Sequence, residues 1–375
     1  MLYTKGKPII PEKLPIREIK WEPLIPLMGQ ANRAISLYDG ILHSLPNAEI
    51  LLSPLTTQEA VLSSRIEGTQ ATLGDVFRLE AGVEPEEEAT RQDIGEIMNY
   101  RMALYSADEE LKTRPFTLNL LLKLHDILLN SVRGRNKGRG RFRTDQNWIG
   151  PPNCKIEDAE FVPPDPMQVM ELMDNWEKYY HLERPDPLVQ LAVIHAQFEI
   201  IHPFLDGNGR LGRILIPLFL FEKRIVAKPM FYISQYLEEH RDEYAGSLRA
   251  IGQEADGWNK WIMFFLRALA EQAKQNTETA RAIKDLYEKL KGTVLERMHS
   301  AYSVPVLDAL FARPIIRSTD LKGKTGMPTA PMIILLLERF EQEGILKIIQ
   351  EGSGRRPYVF AFPELINLCE GRKVF

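Results

Sequence analysis

His202-Pro203-Phe204-Leu205-Asp206-Gly207-Asn208-Gly209-Arg210-Leu211-Gly212-Arg213 sets a titratable base, a carboxylate, three glycines, an amide and two arginines within twelve residues. Those residue types in that order suit the handling of phosphate. Glycines let backbone N–H groups approach an anion, and a helix starting near Gly209 would add its positive end. Arg210 and Arg213, three apart, would share one helical face. Asp206 is a candidate ligand for a divalent cation, and His202 can take a proton near neutral pH.

The spacing Gly207-Asn208-Gly209-Arg210-Leu211-Gly212 also matches the dinucleotide pattern G-x-G-x-x-G. Context excludes it, because residues 188–201 before the turn have helical rather than strand periodicity and no βαβ unit follows. A Walker A loop is excluded as well, since it needs four residues between its glycines and then Lys-Ser/Thr.

Working outward, 375 residues leave room for two or three domains, and 44% hydrophobic with 26% charged residues is the composition of a soluble globular protein. A net charge of -4 argues against a protein whose main task is to coat nucleic acid. Two cysteines, Cys154 and Cys369, are too few for a disulfide framework or a cysteine zinc site, which fits a reducing, cytoplasmic setting. The most apolar run, Ile214 to Phe221, is about half of what a bilayer span requires, so no membrane segment is expected.

Five prolines within residues 1–26 predict an extended arm, packed rather than free because of Ile9, Ile10, Ile16, Ile19 and Trp21. Helices are predicted over 31–43, from Ser53-Pro54 to about Ile66 with Gly68 as the stop, and over 93–111 and 118–129. A glycine- and arginine-rich loop runs from Arg133 to Arg143. Residues 146–164 read as a hairpin, with Trp148-Ile149 and Phe161-Val162 as its arms. Further helices are predicted over 167–180, 188–201, 210–221 and 238–249, then a long one from Trp258 to near Glu296. Residues 300–375 read as helices at 304–311, 318–325 and 329–343 followed by strands 346–349 and 358–362, the winged-helix pattern.

His202, Phe204, Asp206, Gly207, Asn208, Gly209, Arg210 and Arg213 fill all eight fixed positions of His-x-Phe-x-Asp/Glu-Gly-Asn-Gly-Arg-x-x-Arg. In this the chain resembles the Fic (filamentation induced by cAMP) family, over roughly residues 110–270, and residues 31–34 and 63–72 are similar to an N-terminal domain found in many of its members. The resemblance implies a mainly α fold. Its parts would be an N-terminal helical region over 1–110, with an inhibitory helix at about 54–67, and a catalytic core with a β-hairpin flap over 111–275. A helical linker, 276–299, and a small winged-helix domain, 300–375, would follow.

It also implies transfer of AMP from ATP to a Ser, Thr or Tyr hydroxyl of a protein, releasing pyrophosphate. In those roles His202 is the general base and Asp206 the ligand of Mg²⁺ between the α- and β-phosphates. Gly207, Asn208 and Gly209 supply donors to phosphate oxygens, the Asn208 amide included, and Arg210 and Arg213 hold the β- and γ-phosphate regions. Trp148, Ile149 and Gly150 of the flap would pair with a target segment as an added strand. Tyr244 lies where the family often contacts adenine, although a tyrosine on an amphipathic helix also serves a core. His195, two helical turns before His202 on an apolar face, reads as packing or orientation.

Ser63-x-x-x-Glu67-Gly68 is similar to the inhibitory motif of members that carry a brake N-terminal to the core. A glutamate at the end of a helix faces the negative end of the dipole, so something else must favour it there. In that family the partner is the second motif arginine, here Arg213, whose pairing blocks the γ-phosphate. Other readings stay open: transfer of another phosphate-containing group, removal of AMP, or a winged-helix DNA-binding regulator. Residues 300–375 carry ten Lys and Arg against eight Asp and Glu, and residues 329–343 hold Arg339 among Glu338, Glu341 and Glu343. That balance is poor for a phosphate-rich groove and favours protein docking or a homodimer over DNA, with Arg355 and Arg356 as the better backbone contacts.

Overall fold

Apolar residues at helical spacing run through most of the chain, and the computed structural model is mainly α, as that spacing predicts. It describes residues 6–130, 137–151, 153–354 and 356–375. The first half forms α1 (Ile25–Ser44), α2 (Ala48–Leu51), α3 (Ser53–Ile66), α4 (Leu73–Glu80), α5 (Glu88–Leu111) and α6 (Leu118–Leu128). Then come α7 (Val169–His181), α8 (Pro187–Ile201), α9 (Asn208–Glu222), α10 (Ser234–Glu239), α11 (Arg241–Gln253) and α12 (Gly257–Arg297). The chain closes with α13 (Ser303–Ala312), β1 (Ile315–Arg317), α14 (Ala330–Gln342), β2 (Lys347–Gln350), β3 (Val359–Ala361) and α15 (Pro363–Glu370). Among the described residues no helix is long and apolar enough to cross a membrane.

The contacts divide the chain into two compact units. The first comprises residues as far as Asp39, then Leu62–Gly68 and Met98–Lys274. Its centre is α8, which is buried on nearly every face. Asp186 starts that helix by accepting from Leu188 N and Val189 N, both at 2.9 Å, with Pro187 in the first turn. Two fully buried tryptophans reach its backbone: Trp176 of α7 donates to Ile194 O at 2.9 Å and Trp261 of α12 to Ala192 O at 2.7 Å. The proline-rich arm is packed here. Ile9 N donates to Val162 O at 3.0 Å, and Leu14 N to Asn175 Oδ1 at 2.8 Å. Ile9 and Ile16 are buried, but Ile10 points outward at 71% exposure.

The predicted hairpin contracts to a single antiparallel bridge, Ile149 to Phe161. Pro151, Pro163 and Pro164 have no N–H to extend the ladder, and residues 156–158 coil into a 3₁₀ turn between the arms.

The second unit comprises Gly40–Val61, Thr69–Ile97 and Gln275–Phe375. It holds a three-stranded antiparallel sheet of order β1-β3-β2, with Ile315 opposite Ala361 and Lys347 opposite Ala361. α4 lies against β1, α2 against α13 and α15 against α4. The C-terminal elements thus share a unit with helices from the N-terminal quarter, whereas the sequence reading placed boundaries at residues 110, 275 and 299 in chain order.

The helix predicted over 318–325 does not form, and residues 318–323 are turns. Asp320 explains it: one carboxylate oxygen accepts from Arg317 N at 2.9 Å and the other from Arg317 Nε at 2.8 Å, while Gly323 and Gly326 hold positive φ. α4 and α15 are short and were not predicted. On α14, Arg339 donates to Met298 O at 3.0 Å, and near the β2–β3 connection Arg356 donates to Gln350 Oε1 at 2.7 Å. Arg355 and residues 131–136 of the Arg133–Arg143 loop lie outside the described residues.

α4 begins with a reciprocal cap. Thr72 Oγ1 accepts from Asp75 N at 3.2 Å, and Asp75 Oδ2 accepts from Thr72 N at 3.0 Å and from the Thr72 hydroxyl at 2.6 Å. Thr72→Ala should lower stability by about 1 kcal/mol in chemical denaturation. A denaturation curve superimposing on that of the unaltered protein would contradict this.

Candidate active site

α8 ends at Ile201, and His202 turns the chain with left-handed dihedrals of φ 48° and ψ 60°. A non-glycine residue there costs about 1–2 kcal/mol, so its surroundings must enforce it. Arg143 does much of that. Its N–H donates to Pro203 O at 2.9 Å, its Nε to His202 O at 2.9 Å, and its Nη2 to Pro164 O at 2.5 Å and Ile201 O at 3.4 Å. One buried guanidinium therefore holds the end of α8, the turn and the flap's return arm together.

Asn208 closes the turn from the other side, its Oδ1 accepting from Phe204 N at 2.9 Å and its Nδ2 donating to Phe204 O at 2.8 Å. Both polar atoms of the Asn208 amide thus serve the backbone of Phe204, and its second Nδ2 hydrogen is the one left for the expected phosphate contact. Gly207 is the cap residue of α9, with φ 80° and ψ 5°. The positive φ favours glycine there, and an added carbon would lie close against Leu128, Leu129 and His125.

His125 of α6 stacks on Phe204 with ring centres 3.7 Å apart. Its Nδ1 accepts from Gly140 N at 3.0 Å, so Nε2 bears the hydrogen and donates to Asp206 O, also at 3.0 Å. Burial pushes this imidazole down to about 4, which keeps it neutral and the two bonds intact.

The first turn of α9 carries the chemistry. Asp206 is partly exposed, with Oδ1 3.4 Å from Arg210 Nη2. Arg213 is almost completely buried and is met by the end of α3: Nε donates to Ser63 Oγ at 2.8 Å, Nη2 to Ser63 O at 2.9 Å, and Nη2 to Glu67 Oε1 at 2.6 Å. A Cβ on Gly209 would collide with Glu67 Oε1. The carboxylate therefore lies directly on the N-terminal turn of α9, where the helix dipole favours an anion. Burial is the largest influence on Glu67 and acts upward, but the charges of Arg213, Arg210 and His202 and the Arg213 hydrogen bond outweigh it and leave its pKa lowered. The glutamate misplaced with respect to its own helix is thus well placed with respect to another.

His202 stands beside this group. Burial pulls its pKa down to about 4 against the upward pull of the Glu199 carbonyl and Glu67. Its Nδ1 is 3.4 Å from Glu199 O, which can only accept, so the lone pair sits on Nε2. Behind Arg213, Tyr244 of α11 is buried with its hydroxyl 2.9 Å from His195 Nε2, and His195 Nδ1 is 3.1 Å from Gly212 O. Glu199 completes this layer. Its Oε1 is buried against Gly212 with no hydrogen-bond partner among the described residues, and burial raises its pKa to about 7.

The flap is tied to the turn by Asn147 Nδ2, which donates to Phe204 O at 2.9 Å. Ile149 N donates to Phe161 O at 2.9 Å, while Ile149 O accepts from Glu160 N and Phe161 N; the Trp148 and Ile149 side chains are exposed. The structure thus brings Ser63, Glu67, His202, Asp206, Gly209, Arg210 and Arg213 around one helix N-terminus. Tyr244 stands behind that group and Trp148–Gly150 on the flap. His125, Arg143 and Glu199 were missed as site residues. Arg143 had a signal in its place after the arginine-rich loop, whereas His125 and Glu199 sit on apolar helix faces that read as core.

Two family models match the chain, one described as Fic/DOC family N-terminal over residues 25–109 and one as Fic/DOC family over residues 115–220. A probable protein adenylyltransferase of Aquifex aeolicus is 26% identical over 304 residues, covering 76% of this chain and 88% of that protein. The protein adenylyltransferase Fic of Drosophila mojavensis is 26% identical over 240 residues, 62% of this chain but 44% of that longer one. A solved Fic family protein from Desulfovibrio desulfuricans shares the fold with a TM-score of 0.58 and 21% identity, over 92% of this chain and 97% of that one. With both family models in register on α1 to α9 and all eight signature residues gathered at one helix terminus, the chain belongs to the Fic family.

Proposed function

We propose that the chain is a protein adenylyltransferase that moves AMP from ATP to a Ser, Thr or Tyr hydroxyl of a protein target, and that Glu67 holds it inhibited. The observation that carries this reading is the position of Glu67: a carboxylate sits 2.6 Å from Arg213 Nη2, against the first turn of α9, where a phosphate would be bound. His202, the neutral base, stands at the same place. The names of the relatives agree with this reading.

In the reaction the target oxygen attacks the α-phosphorus, the bond to the bridging oxygen of the β-phosphate breaks, and pyrophosphate leaves. His202 Nε2 takes the hydroxyl proton. Backbone N–H groups of the first α9 turn meet phosphate oxygens, and Arg210 and Arg213 oppose the charge of the β- and γ-phosphates. Trp148–Gly150 would align the target as an added strand.

The chemistry of the donor set fits Mg²⁺. That ion keeps several waters and takes one or two carboxylates plus substrate phosphates, so the partly exposed Asp206 suffices, although no cluster of three or more His, Cys, Asp or Glu that could hold a metal occurs among the described residues. When bound there it would neutralise charge between the α- and β-phosphates. With Glu67 on Arg213 the γ-phosphate is displaced and the α-phosphate is turned from the attacking oxygen, a misplacement that costs large rate factors.

With α-labelled ATP and Mg²⁺, Glu67→Gly should label protein at least about tenfold faster than the unaltered chain. His202→Ala in the Glu67→Gly background should lose about a hundredfold or more. Equal labelling with and without Glu67 would contradict the brake, and labelling that survives the loss of His202 would contradict the base.

The pH dependence follows from His202. A base whose pKa is lowered to about 4 stays unprotonated above that value and loses activity only as pH falls through it. For Glu67→Gly, kcat/KM should therefore hold from pH 8 down to about pH 5.5. A fall centred near 6.5, the ordinary imidazole value, would contradict this assignment.

A further inference from the structure

Arg213 is held from two directions, and only one of them involves the brake. The end of α3 supplies Ser63 and Glu67. On the far side stand two buried side chains, Tyr244 on α11 and His195 on α8. Hydrogen-bonding rules fix the direction of every bond between them. Gly212 O can only accept, so His195 Nδ1 bears the hydrogen and donates to it at 3.1 Å. His195 Nε2 then holds a lone pair, so the Tyr244 hydroxyl must donate to it, at 2.9 Å. The phenol oxygen is left with lone pairs only, and it lies within electrostatic reach of the Arg213 guanidinium.

The relay is rigid for reasons visible in its surroundings. His195 lies parallel to Trp261, ring centres 5.8 Å apart at 9°, and is tilted against Phe265 at 5.5 Å. Tyr244 is wedged against Trp261 and Phe264 at 5.9 and 6.2 Å. Both ends of the relay bear on Arg213: His195 grips the carbonyl just before it, and Tyr244 lies within electrostatic reach of its guanidinium.

We infer that Tyr244 and His195 are positioning residues that keep Arg213 aimed at the γ-phosphate once Ser63 and Glu67 have let go, and so set the preference for a nucleoside triphosphate over a diphosphate. This rests on the nucleotide reading of the site given above. A buried arginine freed from Glu67 has a long side chain with rotamer entropy to regain, and a relay fixed to the carbonyl beside it, with a phenol oxygen near its charge, limits the positions open to it. A contact with adenine would act differently, because adenine is common to ATP and ADP.

Calorimetric titration of Glu67→Gly protein with ATP and with ADP, each with Mg²⁺, separates these roles without requiring transfer. Adding Tyr244→Phe should lower ATP affinity roughly tenfold or more and leave ADP affinity unchanged, collapsing the ratio between them. His195→Leu, which breaks the relay from its other end, should do the same. His195→Gln, whose amide can still donate to Gly212 O and accept from Tyr244, should restore the ratio; these two variants also serve if Tyr244→Phe fails to fold. An unchanged ratio in folded Tyr244→Phe or His195→Leu overturns the inference, as do equal losses of ATP and ADP affinity. A Glu67→Gly parent that does not prefer ATP to ADP contradicts the nucleotide reading itself, and this inference with it.

Discussion

A guanidinium buried at the positive end of a helix calls for counter-charge, and the fold around Arg213 is organised by that constraint. Its side chain is about 1% exposed, at the N-terminal turn of a helix whose dipole also calls for an anion. Two positive influences thus converge on one small volume, and some negative group must fill it. In this chain the group is Glu67, brought there by the end of α3, with Ser63 taking two more of the guanidinium's donors. Burial acts against the charged form of Arg213, and the Glu67 carboxylate outweighs it and raises its pKa.

The same demand governs the rest of the site. The turn from α8 into α9 has much of its own polar need met by side chains. Arg143 satisfies carbonyls along residues 201–203, Asn208 satisfies Phe204, and His125 satisfies Asp206. His202 is kept neutral by burial beside the Glu67 carboxylate. In the proposed function, catalytic equipment and obstruction are thus assembled together, and activity would depend on exchanging one anion for another at a fixed receptor.

Much of this was legible in the chain before any coordinates. Eight signature residues within twelve named the anion turn, and the oddity of Glu67 at a helix end announced a partner elsewhere. What remained hidden was hidden for physical reasons. Asn208 has the same composition whether it bonds phosphate or backbone, and only the tightness of the turn at Phe204 decides. His125 and Glu199 lie on apolar helical faces where a polar residue reads as an ordinary satisfied core group. The flap looked like a hairpin because two short apolar arms flank a polar, proline-containing middle, but prolines withhold the donors a ladder needs. Residues 318–325 had helical spacing, yet the Asp320 carboxylate bonded to Arg317 makes the turn the better bargain.

The central claim is that Glu67 and the γ-phosphate of ATP compete for Arg213. The most direct test is a crystal structure of Glu67→Gly protein with Mg²⁺ and a non-hydrolysable ATP analogue. The account predicts γ-phosphate oxygens within hydrogen-bonding reach of Arg213 Nη2, at the place the Glu67 carboxylate vacates on the first turn of α9. A γ-phosphate bound elsewhere, with that place filled by water alone, would contradict it.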